Sequence, residues 1–129
     1  MKYVLDTHTI YWFFENPAKL TNKSLKILKD DSKELVIPSI VLAELKYIFK
    51  KYKMLDKFRE IFINILYNPR CHITPLDENI VERMNTDLEI HDAIIVATAK
   101  SLKEIYKEEV VVISCDKKII ESKLIKVIW

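Results

Sequence analysis

A chain of 129 residues that is 50% hydrophobic and 31% charged suits one compact domain over residues 1–129, large enough to bury about two-thirds of its unfolded surface. No stretch approaches the roughly 20 apolar residues of a membrane helix, and a net charge of +2 does not by itself select a partner. The chain contains no glycine, which excludes the Walker loop and the dinucleotide fingerprint, because both need glycine to bring backbone amides against phosphates.

Chemistry on phosphates, if there is any, must therefore use side chains and metal ions. The opening MKYVLD carries no signal-peptide pattern. Cys71 and Cys115 lie far apart and form no C-x-x-C pair. Reduced thiols in a cytoplasmic protein are the expectation.

In chain order, a strand at Tyr3–Leu5 leads into a helix that begins in the aromatic run IYWFF, Ile10–Phe14. Thr21 caps a second helix reaching about Lys29. A strand at Leu35–Ile37 is followed by Pro38 and Ser39, which introduce a helix with Leu42, Leu45, Ile48 and Phe49 on one side. DKFREIFINILYN spaces Phe58, Ile61, Phe62, Ile65 and Leu66 at three and four, an amphipathic helix stopped by Asn68-Pro69. After a strand at His72–Thr74, a weaker helix follows Asp77. A longer one, headed by Asp92, precedes the strand Val110–Ile113, and a last strand is expected at Lys126–Ile128. Strands alternating with helices predict an α/β three-layer sandwich around a parallel sheet of about five strands.

Such sheets bind ligands beyond the carboxyl ends of their strands. Asp6 follows the first strand, Asp116 follows VVVIS, Glu44 lies early in the helix after the second strand, and Asp92 heads the apolar helix. Each has a plain local explanation. Asp92 and Asp116 could be N-caps, worth about 1 kcal/mol each, Asp6 an Asx-turn residue, and Glu44 a covered surface residue. Four such acids on one edge instead predict a divalent-metal site. Clustered carboxylates raise one another's pKa unless a cation neutralises them, and Mg²⁺ or Mn²⁺ takes oxygen ligands. Such an ion lowers the pKa of water and offsets phosphodiester charge in an in-line attack. Thr7 and Ser114 lie beside this edge as supporting hydroxyls, with local capping as the alternative.

The segments YVLDTHTIYWF, SIVLAEL, HDAIIVATA and VVISCD resemble, in order, the signature segments of PIN-domain ribonucleases, most closely the VapC-type toxins of VapBC toxin–antitoxin pairs. The resemblance spans nearly the whole chain. It implies the sheet order 3-2-1-4-5, which sets the first and fourth strands side by side. It also implies that Asp6, Glu44, Asp92 and Asp116 form a catalytic, metal-binding acid set, with Ser114 at the supporting position two residues before the last acid. Asp92 would then share a metal ion with Asp6. The implied activity is metal-dependent endoribonucleolytic cleavage of RNA, in a homodimer restrained by a small antitoxin. The lack of glycine departs from relatives with turn glycines and bears on loop geometry, not on the acids.

Other readings make distinct demands. A receiver-type phosphoacceptor domain wants paired acids after the first strand, where Thr7 follows Asp6, and an acceptor Asp after the middle strand, which runs into Thr74-Pro75. A haloacid-dehalogenase phosphatase wants a second Asp where this chain has His8. A PIN fold kept only for interaction, or an RNA-processing nuclease without an antitoxin, would be harder to distinguish. His8 and His91 are open between substrate contact and plain surface roles, His72 has no assigned role, and Cys115 reads as a packed thiol. The aromatic run is open between core packing and a partner surface. FKKYK, Phe49–Lys53, reads as a solvated helix face, with phosphate tracking as the alternative.

Overall fold

In the computed structural model, which describes residues 1–129, five parallel strands form one sheet in the order β3-β2-β1-β4-β5. They are β1 (Lys2–Leu5), β2 (Glu34–Pro38), β3 (Cys71–Thr74), β4 (Val110–Ile113) and β5 (Val127–Ile128). The α/β class and the order 3-2-1-4-5 are those expected. Strand bounds move by a residue where a ladder partner decides them. Lys2 joins β1 because it lies opposite Glu34, and the two side chains form an ion pair at the sheet's amino end. Pro38 closes β2 in register with Thr74, at a strand end where its missing N–H costs little.

Seven α-helices fill the crossovers: α1 (Thr7–Glu15), α2 (Asn22–Lys29), α3 (Ser39–Lys51), α4 (Leu55–Tyr67), α5 (Glu78–Arg83), α6 (Ile90–Tyr106) and α7 (Lys117–Ser122). A 3₁₀ turn at Pro17–Lys19 joins α1 to α2. Thr21 caps α2 as expected, accepting from the Ser24 amide at 3.2 Å, and α4 buries Phe58, Ile61 and Ile65. No helix is long and apolar enough to cross a membrane.

Two features hold the site in place. β4 lies between β1 and β5 with all four residues buried. Ala93 to Ala99 of α6 are all buried as well, because α6 packs across β4, β1 and β2. That explains why the apolar run in α6 lacks a polar stripe: it is covered on nearly every side. The acids at its head therefore project from a rigid support.

The chain makes its left-handed turns without glycine. Lys53, Lys107 and Lys123 take positive φ values of 57°, 52° and 55°, and the last two end α6 and α7. A Cβ in that region costs about 1 kcal/mol. The absence of glycine thus appears in the loops, as a conformational cost at helix ends.

Candidate active site

The site begins where β1 and β4 end. The Asp6 amide donates to the Ile113 carbonyl at 3.2 Å, and the buried Thr9 hydroxyl donates to the same carbonyl at 2.7 Å, so the residues that follow the two strands are held together. Ser114, fully buried, donates its hydroxyl to Asp6 Oδ2 at 2.6 Å and accepts from the Asp116 amide at 3.0 Å. One hydroxyl thus orients one carboxylate and the backbone of the next. Asp6 Oδ1 accepts from the Thr7 amide at 2.6 Å as the N-cap of α1. Thr7, only 2% exposed, donates its hydroxyl to Glu44 Oε1 at 3.1 Å, which ties α3 to the end of β1.

The capping alternatives for Asp92 and Asp116 come out differently. Asp92 does not cap α6. Glu89 does, accepting from the His91 amide at 3.1 Å. Asp92 lies inside the first turn, so its carboxylate is not committed to helix amides. Asp116 does cap: its Oδ1 accepts from the Lys118 amide at 2.8 Å, which leaves the other oxygen available.

Asp6, Glu44, Asp92 and Asp116 line one cleft of about 490 Å³ that contains no hydrophobic side chain. Glu89, Lys117, Lys118, Thr7, His8 and His91 complete its wall. Glu89 and the two lysines were not singled out from sequence. Glu89 stands two residues before His91 and the lysines directly follow Asp116, so proximity to the acids was the available signal. His91 Nδ1 lies 3.4 Å from Glu44 Oε2 and 3.3 Å from Glu89 Oε1, placing it between carboxylates. His8 is exposed and tilts against Trp12 at 5.4 Å. His72 sits exposed on β3, outside the cleft lining.

Crowded carboxylates hold their protons more tightly. Burial and then the neighbouring Asp116, Asp6, Glu89 and Glu44 raise Asp92 to a pKa of about 6. Burial also raises Asp6, outweighing the hydrogen bonds from Ser114 and Thr7. Glu44 is raised by burial in spite of His91 and Thr7. The Cys115 thiol is pushed up by burial and then by Asp6, which keeps it protonated and a poor nucleophile.

These residues fit a hard divalent cation. The donors are carboxylate oxygens, and the unusual proton affinity of Asp92 marks a place where positive charge is favoured. As the side chains lie, no group of three or more Asp, Glu, His or Cys could hold a metal ion together. Mg²⁺ can be bound through one or two carboxylates, since it keeps several waters.

A second cavity, about 460 Å³ and mostly apolar, lies away from the acids. It opens between α1, α2 and α4 over the sheet residues Leu5, Leu35 and Ile37. Phe13 and Phe14 line it, whereas Tyr11 packs edge-on against Phe49 at 5.4 Å and Trp12 against Trp129 at 5.6 Å. The aromatic run therefore divides between core and groove.

Against known protein families, residues 3–123 match the model of the PIN domain. The chain belongs to the PIN-domain family. Among solved structures, this PIN domain is similar to VapBC from Salmonella typhimurium, bound to DNA, with a TM-score of 0.72 at 19% identity over 99% of this chain and 97% of that one. VapBC2 from Rickettsia felis, bound to a DNA fragment from its promoter, gives 0.69 at 19% identity over 99% and 98%. A toxin–antitoxin complex from Klebsiella pneumoniae gives 0.64 at 19% over 98% and 96%. No curated protein matches the sequence. At such identities the likeness establishes the fold, and the activity has to be argued from the site.

Proposed function

We propose that this PIN domain is a divalent-metal-dependent endoribonuclease and the toxin of a toxin–antitoxin pair. The observation that carries the reading is the convergence of Asp6, Glu44, Asp92 and Asp116 on one wholly polar cleft at the carboxyl ends of β1 and β4. The resemblance of the four motif segments to PIN ribonucleases supports RNA as the substrate. The acids that would hold Mg²⁺ or Mn²⁺ are drawn from Asp6, Glu44, Asp92 and Asp116, which share the cleft. When bound, such an ion lowers the pKa of water and offsets charge on the phosphodiester.

The chain's own residues supply order. Ser114 and the Thr7 amide fix both oxygens of Asp6, so its remaining lone pairs point in set directions. Thr7 and His91 hold Glu44 from two sides. Lys117 and Lys118, on the cleft wall, bring positive charge to the phosphate backbone. The purified protein should cleave RNA only with Mg²⁺ or Mn²⁺ and leave 5′-phosphate ends, since water and not the substrate 2′-hydroxyl attacks. Mapping the ends with and without EDTA checks this; cleavage that persists in EDTA, or 2′,3′-cyclic phosphate ends, would defeat the mechanism.

The partner reading rests on the apolar groove. Phe13, Phe14, Leu28 and Ile65 line it, and Phe14 is 39% exposed, an arrangement suited to the apolar face of a partner helix. A homodimer that binds a small co-encoded antitoxin there is the expected assembly. Wild-type protein used as bait in its native cell should recover that protein, and Phe14→Asp should not. Recovery by neither bait counts against the antitoxin, and recovery by both counts against this groove.

A further inference from the structure

Thr9 and Thr98 are both buried inside helices, yet they use their hydroxyls differently. Thr98 donates to the Ile94 carbonyl of its own helix at 2.7 Å, the local bond open to any helical threonine. Thr9, only 1% exposed, instead leaves α1 and donates to the Ile113 carbonyl at the end of β4, also at 2.7 Å. A buried hydroxyl needs a partner. It does not need one on another element, since a bond like that of Thr98 would serve.

The carbonyl that Thr9 reaches stands next to the acids. Ile113 is followed by Ser114, whose hydroxyl holds both Asp6 Oδ2 and the Asp116 amide. The peptide unit between Ile113 and Ser114 is planar, and it is gripped at both ends. Its carbonyl accepts from the Asp6 amide at 3.2 Å as well as from Thr9, which occupies both lone pairs. Its N–H donates to the Ile128 carbonyl of β5 at 3.1 Å. A rigid plane held in this way cannot swing about its flanking bonds, so the direction in which the Ser114 side chain leaves the backbone is set. Without Thr9 the carbonyl keeps one donor, the amide of the very residue that Ser114 must orient. Thr9 supplies the hold that comes from the body of α1.

We propose that Thr9 is a positioning residue of the acid site: by fixing the Ile113–Ser114 peptide it sets the placement of Asp6 relative to Asp116. Thr9 does not line the acid cleft, and it acts through Ser114. The inference rests on the metal-dependent ribonuclease reading above and adds to that site a residue outside its walls.

Mn²⁺ binding to the purified protein, measured by titration calorimetry alongside melting curves taken without metal, tests this. Thr9→Val nearly keeps the shape and removes the hydroxyl. It should weaken Mn²⁺ binding about tenfold, the lower end of the loss typical for outer-shell partners of metal ligands. Thr9→Ser keeps the hydroxyl and should bind within twofold of wild type. Thr98→Val removes an equally buried hydroxyl from its local bond and should melt lower with unchanged Mn²⁺ affinity. The proposal is overturned if Thr9→Val binds Mn²⁺ within twofold of wild type, whatever its melting temperature, which would make Thr9 a staple of the fold. It is overturned equally if Thr9→Ser binds as weakly as Thr9→Val, or if Thr98→Val loses as much affinity. Should Thr9→Val not fold, Thr9→Cys, close in size with a weak donor, takes its place under the same limits. In each of these cases Mn²⁺ binding by the wild type leaves the ribonuclease reading standing. A wild type that binds no Mn²⁺ would remove the metal site and this proposal with it.

Discussion

Asp92→Asn is expected to lower metal-dependent cleavage by about two orders of magnitude or more, while the metal-free protein melts at the same temperature as wild type or higher. The two halves of this result have one cause. Asp92 occupies a cleft shared with Asp6, Glu44, Glu89 and Asp116, and burial and those neighbours already hold its carboxyl near pKa 6. An amide of the same shape removes the repulsion and leaves the α6 cap intact, because Glu89 makes it. The same amide is a poor ligand for a hard cation. A ligand that binds only the native state stabilises it by RT ln(1 + [L]/Kd), about 2.7 kcal/mol at a hundredfold excess over Kd. The rise in melting temperature with Mn²⁺ should therefore shrink in the variant. Thermal melts with and without millimolar Mn²⁺, alongside cleavage assays, decide the matter. A wild type indifferent to Mn²⁺ together with a fully active Asp92→Asn protein would mean that this carboxylate is no ligand.

The features of this site that could be read from sequence are those set by short-range pattern. Alternating strand and helix patterns place Asp6 and Asp116 after strands, and hence on the edge where α/β sheets bind ligands. The motif resemblance adds the order that makes β1 and β4 neighbours. What escaped depends on geometry that pattern does not encode. Asp outranks Glu as a helix cap, so Asp92 was a natural candidate, yet the backbone turns extended at Glu89 and the longer side chain reaches back to the His91 amide.

The aromatic run could not be assigned as a unit because successive helix positions point about 100° apart. Tyr11 and Trp12 meet Phe49 and Trp129, whereas Phe13 and Phe14 face the groove. Contacts across long sequence separations were equally hidden. Arg70 donates to the Leu28 and Asp30 carbonyls at the end of α2, and Ser114 reaches across 108 positions to Asp6. With glycine absent, the left-handed helix ends at Lys107 and Lys123 carried no local signal either.

The same crowding of acids predicts an inverted pH dependence for the metal-free fold. Asp6, Glu44 and Asp92 all have pKa values raised in the native state. Between the ordinary carboxylate range near 4 and about 6 for Asp92, the folded protein binds more protons than the unfolded chain. The stability that Asp92 contributes is therefore fully present below pH 4 and is lost as pH rises through about 6, and Asp6 and Glu44 act in the same direction. Asp30 and Glu34 act in the opposite sense: hydrogen bonds from Ser32 and Lys2 lower their pKa values, and their contribution is lost on acidification below about 4. The two windows barely overlap, so a difference measurement separates them. The melting temperature of metal-free Asp92→Asn should exceed that of wild type at pH 7.5, and the gap should close towards pH 5 as Asp92 takes up a proton and becomes neutral like the amide. Saturating Mn²⁺ should reverse the wild-type trend, because the cation competes with protons for the same oxygens and binds more tightly as pH rises. A gap between the two proteins that is constant from pH 5 to 7.5, in the absence of metal, would show that Asp92 ionises as an ordinary exposed carboxylate and would remove the electrostatic basis of the proposed metal site.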